Sequence, residues 1–129
     1  MRTNSTHFVW AGSALLAVTA LFHLAGFPAI SAPQTIDGAA SFFEASLPPL
    51  WLFAGAHWLL IAFVCIVAEK SGQRLGRLLL RCCACVVLAD ALLLYWFIGP
   101  FVGVALLAAS GLATTVGSFG KLSVPEQQY

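Results

Sequence analysis

Four long apolar runs constrain this chain more than any other feature, because they leave little polar surface for a water-soluble fold. They cover residues 8–30, 50–68, 78–98 and 101–119. Each is close to the roughly 20 residues that an α-helix needs to cross the hydrocarbon core of a bilayer. None alternates apolar and polar residues with a period of two, as a membrane β-barrel would require. The runs therefore predict four transmembrane helices.

The composition supports the same class of protein. Of the 129 residues, 60% are apolar and 9% are charged, whereas a soluble domain has about 25% charged residues. A chain this short has a large surface for its volume, so water would contact most of the apolar excess. We expect one all-α domain over residues 1–129, an integral membrane four-helix bundle with up-down-up-down topology.

The basic residues predict the orientation of that bundle. With four spans, all six fall on one side of the membrane, at Arg2, Lys70, Arg74, Arg77, Arg81 and Lys121. The opposite side receives residues 31–49 and the turn at 99–100, which contain no Lys or Arg. Cytoplasmic loops carry the excess of Lys and Arg. We therefore expect a protein of the cell inner membrane with both termini cytoplasmic.

The first apolar run and the outer loop that follows it each have a feature that bears on the fold. The first apolar run faintly resembles a signal peptide, but its 23 residues exceed the 7–15 of a secretory apolar region, so we expect it to be retained. Within residues 31–49, Phe42, Phe43 and Leu47 share one helical face, which predicts a short amphipathic helix on the outer leaflet. Glu44 lies on this segment, either at the mouth of a cavity or on a solvated face.

Polar residues inside the apolar runs are the candidate functional site. Counted from the outer ends of the predicted spans, His23 and His57 lie about 10 Å deep, and Asp90 and Ser110 about 13 Å deep. Ionisable groups at membrane depth are rare and usually functional. We therefore expect these four side chains to form one polar layer in the outer half of the bundle.

Several interpretations of that layer remain open. An Asp–His pair can simply hold helices together, with Ser110 as a satisfied hydroxyl. Alternatively, the layer lines a small cavity that holds a proton, the headgroup of a lipid-soluble molecule or a metal ion. A haem held by His23 and His57 is a special case of this alternative. Of these alternatives, we expect that no cofactor and no metal ion are bound.

Small and hydroxylated residues form stripes on the first and fourth runs. Such stripes let membrane helices approach each other closely, so both should face the interior. They comprise Gly12, Thr19, His23 and Gly26 on the first run and Gly103, Ser110, Thr114 and Gly117 on the fourth.

The four cysteines include a Cys-x-x-Cys spacing at Cys82 and Cys85. Quinone-coupled thiol oxidoreductases with four membrane helices carry such a pair, but here it follows Arg81 on the predicted cytoplasmic side, where thiols stay reduced. Cys65, near the cytoplasmic end of the second span, is expected close to the cluster of Cys82, Cys83 and Cys85. Packing, acylation, and metal or redox chemistry are the open interpretations.

Three short motifs carry a resemblance to a group of proteins. They are Leu21-Phe22-His23-Leu24-Ala25-Gly26, Gly55-Ala56-His57-Trp58-Leu59-Leu60 and Leu88-Ala89-Asp90-Ala91-Leu92-Leu93. In layout the chain resembles small bacterial inner-membrane proteins of four helices with no assigned function. The resemblance implies a four-helix membrane fold and no catalytic residues.

Two classes of function follow from these features. The first is a binding or accessory protein, as a subunit of a larger membrane complex or as a homo-oligomer. The second is a small membrane enzyme or carrier that acts on a lipid-soluble molecule through His23, His57 and Asp90. Both have the lipid bilayer as a partner, and nothing in the sequence predicts binding to nucleic acid.

Overall fold

The structure, a computed structural model, describes residues 3–31 and 42–120. Within these ranges the chain forms helices joined by turns, with no strand. The helices are α1 (Thr3–Ala25), α2 (Phe27–Ser31), α3 (Phe42–Ser71), α4 (Arg74–Ile98) and α5 (Val102–Ser118). The predicted all-α class is therefore confirmed.

Four of the helices pack around a common interior. α1 contacts α3 and α5, and α4 contacts the same two helices. The interior is made of small and aliphatic side chains, among them Val9, Leu16, Ala20, Ile61, Ala62, Cys65, Leu80, Val87 and Leu107. The start of α1, the end of α3, the start of α4 and the end of α5 meet at one end of the molecule, through contacts of Thr6, Glu69, Arg77 and Ser118. We refer to it as the basic end.

Three helical segments are long and apolar enough to cross a membrane. They are Ser5–Ser31, Ala45–Ser71 and Arg74–Ile98. α5 is also apolar but has 17 residues, at the lower limit of the usual length of a membrane helix. Large apolar side chains on the outside of these helices are exposed, as at Phe63 and Phe97. This surface is suited to lipid.

The first predicted span is not one continuous helix. α1 ends at Ala25, Gly26 forms a turn, and α2 begins at Phe27. The backbone N–H of Gly26 bonds to the carbonyl of His23 at 3.0 Å. Pro28 has no N–H to offer the carbonyl of Leu24, so a regular helix cannot continue here without an unpaired group. The prediction of an unbroken run over 8–30 missed this interruption.

The second span begins earlier than predicted. From Phe42 onward, the segment expected to lie on the outer leaflet is the first part of α3 and not a separate helix. α3 continues through Pro48 and Pro49 and has 30 residues, or about 45 Å. Membrane helices tolerate such prolines because neighbouring groups can satisfy the freed carbonyls. The rest of the expected amphipathic helix, residues 37–41, lies outside the described residues.

Both turns around α4 are tight and depend on glycine. Gly72 and Gly99 have positive φ of 62° and 91°, where side chains with a Cβ are strained. Gly99 follows α4 directly and its N–H bonds to the carbonyl of Tyr95 at 2.9 Å. The predicted turn at residues 99–100 is confirmed, and α4 begins at Arg74, before the start of the predicted run over 78–98.

α1 and α5 approach each other closely through the predicted stripes of small residues. A Cβ on Gly12 would lie 2.5 Å from Oγ1 of Thr114, and one on Gly117 would lie 2.5 Å from Cγ2 of Val9. Only glycine fits at such distances. The prediction that these two stripes face the interior is confirmed at Gly12, Thr114 and Gly117.

Candidate functional site

Three helices bring polar side chains together in the half of the bundle away from the basic end. His57 on α3 and Asp90 on α4 form the first contact, with 3.5 Å between Nε2 of His57 and Oδ2 of Asp90. Their side chains are 33% and 27% exposed. The pair therefore lies at the α3–α4 contact with part of its surface facing outward.

Trp58 is the buried centre of this cluster. Its indole nitrogen donates to Oδ2 of Asp90 at 3.0 Å, and the residue is 6% exposed. On the side facing α1, the ring of His23 meets the Trp58 ring edge-on, with 5.0 Å between centroids. A buried indole normally finds a hydrogen-bond partner, so Trp58 fixes the position of the carboxylate while it packs against α1.

His23 is held mainly by Trp51. The two rings stack with 3.9 Å between their centroids and 13° between their planes. The Trp51 indole donates to the backbone carbonyl of His23 at 2.7 Å, and Nε2 of His23 lies 3.1 Å from the backbone carbonyl of Trp51. A carbonyl only accepts, so this imidazole nitrogen carries the proton. The Trp51 indole is thus a second donor to the carbonyl of His23 at the end of α1, which also accepts from the N–H of Gly26.

His57 presents its remaining surface to the outside. Its ring stacks on the ring of Phe53, one helical turn earlier, with 5.9 Å between centroids. Phe53 is 67% exposed. His57 therefore lies where the packed interior of α3 gives way to the outer apolar surface.

The structure brings together three of the four residues of the predicted polar layer. Ser110 is used elsewhere, because its hydroxyl donates to the carbonyl of Gly12 at 2.8 Å in the α1–α5 contact. Gly12 is eleven residues from His23, or about 16 Å along α1. Ser110 was placed in the layer from its depth, which was counted along its own span as if all four helices were parallel and unbroken. The side chain of Glu44 lies outside the described residues.

The two tryptophans that organise the cluster, Trp51 and Trp58, were not among the residues predicted for the site. They are seven residues apart, which places them on one face of α3. A buried indole also requires a hydrogen-bond partner. That signal was available in the sequence.

A second set of polar contacts lies at the basic end, near the end of α3. Thr6 donates to Oε1 of Glu69 at 2.8 Å, which joins α1 to α3. The ammonium of Lys70 lies 5.7 Å from the centroid of the Trp10 ring. Both contacts direct these side chains of α3 toward α1.

The arginines of α4 contact the end of α5. Nη1 of Arg77 donates to the carbonyls of Gly117 and Ser118 at 3.4 and 3.2 Å. The last carbonyls of a helix lack intrahelical donors and carry partial negative charge, so a guanidinium is favourable there. The guanidinium of Arg81 lies 4.8 Å from the centroid of the Phe119 ring. These contacts fix the C-terminus of α5.

The cysteines are free thiols with different surroundings. Cys65 is buried, and its thiol lies near that of Cys83 across the α3–α4 contact. Cys82 and Cys85 are exposed. The expected proximity of Cys65 and Cys83 is thus confirmed.

The cluster of His23, His57, Asp90 and the two tryptophans can exchange a proton or bind a hydrogen-bonding group at its outer surface. Among the described residues, no three His, Cys, Asp or Glu side chains converge as metal ligands. The chain matches no protein-family model, no curated protein and no solved structure. The chemistry of the cluster is therefore the main guide to function.

Proposed function

We propose that this chain is a multi-pass protein of the cell inner membrane, folded as an up-down-up-down bundle of α1, α3, α4 and α5. The apolar exposed surface and the lengths of α1–α2, α3 and α4 support this placement. At about 1.5 Å per residue, the shorter α5 spans about 26 Å, close to the thickness of the hydrocarbon core.

The distribution of charge supports a cytoplasmic position for the basic end. Within the described residues, all Lys and Arg side chains lie from Lys70 to Arg81, at the end of α3 and the start of α4. The opposite end, with the turn at Gly99, has none among the described residues. The excess of basic residues on one side is the strongest sequence determinant of orientation.

Within that placement, we propose that the protein acts as an accessory subunit whose partner covers His57 and Asp90. The observation that carries this proposal is the partial exposure of both side chains, at 33% and 27%, on an otherwise apolar surface. His57 is twelve residues from Ala45, or about 18 Å along α3, which is deep in the span. Lipid chains cannot hydrogen-bond to these groups, so exposure there is costly.

A partner helix with a polar side chain resolves this cost. Ser, Thr, Asn, Gln and His side chains form hydrogen bonds between membrane helices. Trp58 already donates to Oδ2 of Asp90, so the outer part of the carboxylate and the His57 ring are the groups left for a partner. A second copy of the chain and a different membrane protein are both partners of this kind.

Site-specific photo-crosslinking in cells tests the proposal. A photoreactive phenylalanine replaces Phe53, which stacks on His57, and the matched control replaces Phe22 on α1, which is similarly exposed at 64%. We expect a protein adduct of defined mass from position 53 only, and a weaker one when His57→Leu is added. Equal adducts from both positions, or lipid adducts alone, would overturn the proposal.

The second candidate function uses the same pair as a binding site for a lipid-soluble small molecule, with the protein as an enzyme or carrier. The contact between Nε2 of His57 and Asp90 favours it, because an imidazole beside a carboxylate can exchange a proton with a bound group. Organic extraction of the purified protein distinguishes the two candidates. A stoichiometric small molecule present in the wild type and absent from His57→Leu would favour the enzyme or carrier.

A further inference from the structure

An apolar groove lies between α3 and α4 at the basic end, far from the polar cluster. It encloses about 220 Å³. Its walls include Phe63 and Val67 from α3 and Leu75 and Leu79 from α4. These four side chains are 41% to 64% exposed, so the groove opens to the outer surface of the protein.

The turn between the two helices closes one end of the groove. Ser71 and Gln73 line it on either side of Gly72. Close to the turn the helices are in contact, because a Cβ on Gly76 would collide with the carbonyl oxygen of Ala68. The groove therefore has an apolar length along the span and a polar end at the turn.

A basic residue lies next to the polar end of the groove, although it is not one of the lining residues. Arg74 lies between two lining residues, Gln73 and Leu75, and its side chain has no partner among the described residues. α4 begins at the same place, and Gln73 makes no side-chain capping bond, so the first N–H groups of α4 remain available for an anion. The acid of this end, Glu69, is directed away to Thr6 on α1.

We propose that the groove holds one anionic phospholipid, with an acyl chain along Phe63, Val67 and Leu79 and the phosphate at Arg74 and the start of α4. An apolar channel with a basic side chain next to its polar end matches a molecule with an apolar chain and an anionic head. Basic pockets between membrane helices on the cytoplasmic side are suited to anionic headgroups. The inference rests on the proposed membrane placement, and it is independent of the partner proposed for His57 and Asp90.

Native mass spectrometry of the full, delipidated chain in detergent tests the proposal. The probes are phosphatidylglycerol and phosphatidylcholine with identical acyl chains. We expect phosphatidylglycerol to bind about fivefold more tightly, as one basic residue at a membrane surface contributes. Arg74→Gln should remove this preference, while Arg74→Lys should keep most of it. Arg81→Gln, which changes the net charge equally but lies against Phe119, should leave it intact.

A second pair of variants tests the acyl-chain position. Leu79→Trp fills the groove and should weaken the binding of both lipids, whereas Leu112→Trp, on the exposed face of α5, should not. Equal effects of Arg74→Gln and Arg81→Gln would show diffuse attraction and overturn the proposal, as would unchanged binding in Leu79→Trp. Displacement of the lipid by excess inorganic phosphate would also overturn it. The same holds if the protein forms dimers and Leu79→Trp prevents their formation. Release of the protein from membranes at alkaline pH would instead contradict the membrane placement.

Discussion

The indole nitrogen of Trp58 on α3 lies 3.0 Å from Oδ2 of Asp90 on α4, and the same carboxylate oxygen lies 3.5 Å from Nε2 of His57. One oxygen therefore receives a neutral, buried donor from the interior and an imidazole from the outer side. This arrangement holds Asp90 in place without a buried cation. It also leaves part of the carboxylate and of His57 on the outer surface.

The Trp58–Asp90 hydrogen bond should be measurable as a coupling energy. Trp58→Phe removes the donor and keeps an aromatic ring, and Asp90→Leu removes the acceptor. We expect a coupling of about 0.6 kcal/mol, and at most about 1.7, in a double-mutant cycle of unfolding in sodium dodecyl sulfate. Costs that add without coupling would mean that the two side chains do not interact in the folded protein.

His23 should couple to Trp51 more strongly than to Asp90. The sequence led us to expect a direct His23–Asp90 interaction, but Trp58 lies between the two and His23 bonds to Trp51. In double-mutant cycles, His23→Leu with Trp51→Phe should show a coupling of about 0.5 kcal/mol or more. His23→Leu with Asp90→Leu should be additive to within about 0.3–0.5 kcal/mol. The reverse order of couplings would contradict the observed geometry.

The contact of α1 with α5 should not tolerate a side chain at Gly12. A Cβ there would lie 2.5 Å from Oγ1 of Thr114 and 2.9 Å from the carbonyl of Ser110. Gly12→Val should therefore destabilise the protein by about 1–3 kcal/mol. The matched control is Ala11→Val, on the neighbouring exposed position, and it should have little effect in the same unfolding assay. Similar losses for both variants would indicate that α1 does not pack on α5 through Gly12.

Topology reporters test the proposed orientation. A reporter inserted at Gly72, in the turn of the basic end, should be active only as a cytoplasmic marker. One inserted at Pro100 or near Asp37 should be active only as an external marker. The physical reason is the absence of Lys and Arg from the second side. An external signal at Gly72 would invert the orientation.

The four thiols should be reduced in the purified protein, and they should differ in their reactivity toward an oxidant. All four should react with a thiol reagent after denaturation without reductant, since the structure contains them as free cysteines. In the variant Cys82→Ala/Cys85→Ala, mild oxidation with iodine should join Cys65 to Cys83, because these two thiols lie near each other across the α3–α4 contact. Mass spectrometry should show the loss of two hydrogen atoms. Free thiols after this treatment would place the two side chains apart.

Much of the fold could be predicted because it depends on local pattern and composition. The apolar runs predicted the helices, and the breaker at Gly99–Pro100 predicted the hairpin that joins α4 to α5. The glycines and hydroxyls on one side of α1 and α5 predicted their close contact, because spacing along a helix determines which residues share a face. The break at Gly26 was missed, although Pro28 provides a local reason for it.

The composition of the polar cluster depended on tertiary structure. The sequence by itself determined an all-helical, strongly apolar chain with His23, His57 and Asp90 inside its apolar runs. Only the packing of α1, α3 and α4 decided that His57 and Asp90 meet, that Trp58 lies between Asp90 and His23, and that Ser110 bonds to Gly12 instead. The reason is that residue spacing fixes the face and height of a side chain on its own helix. The tilt, rotation and breaks of neighbouring helices, which decide what that side chain contacts, result from packing between distant parts of the chain.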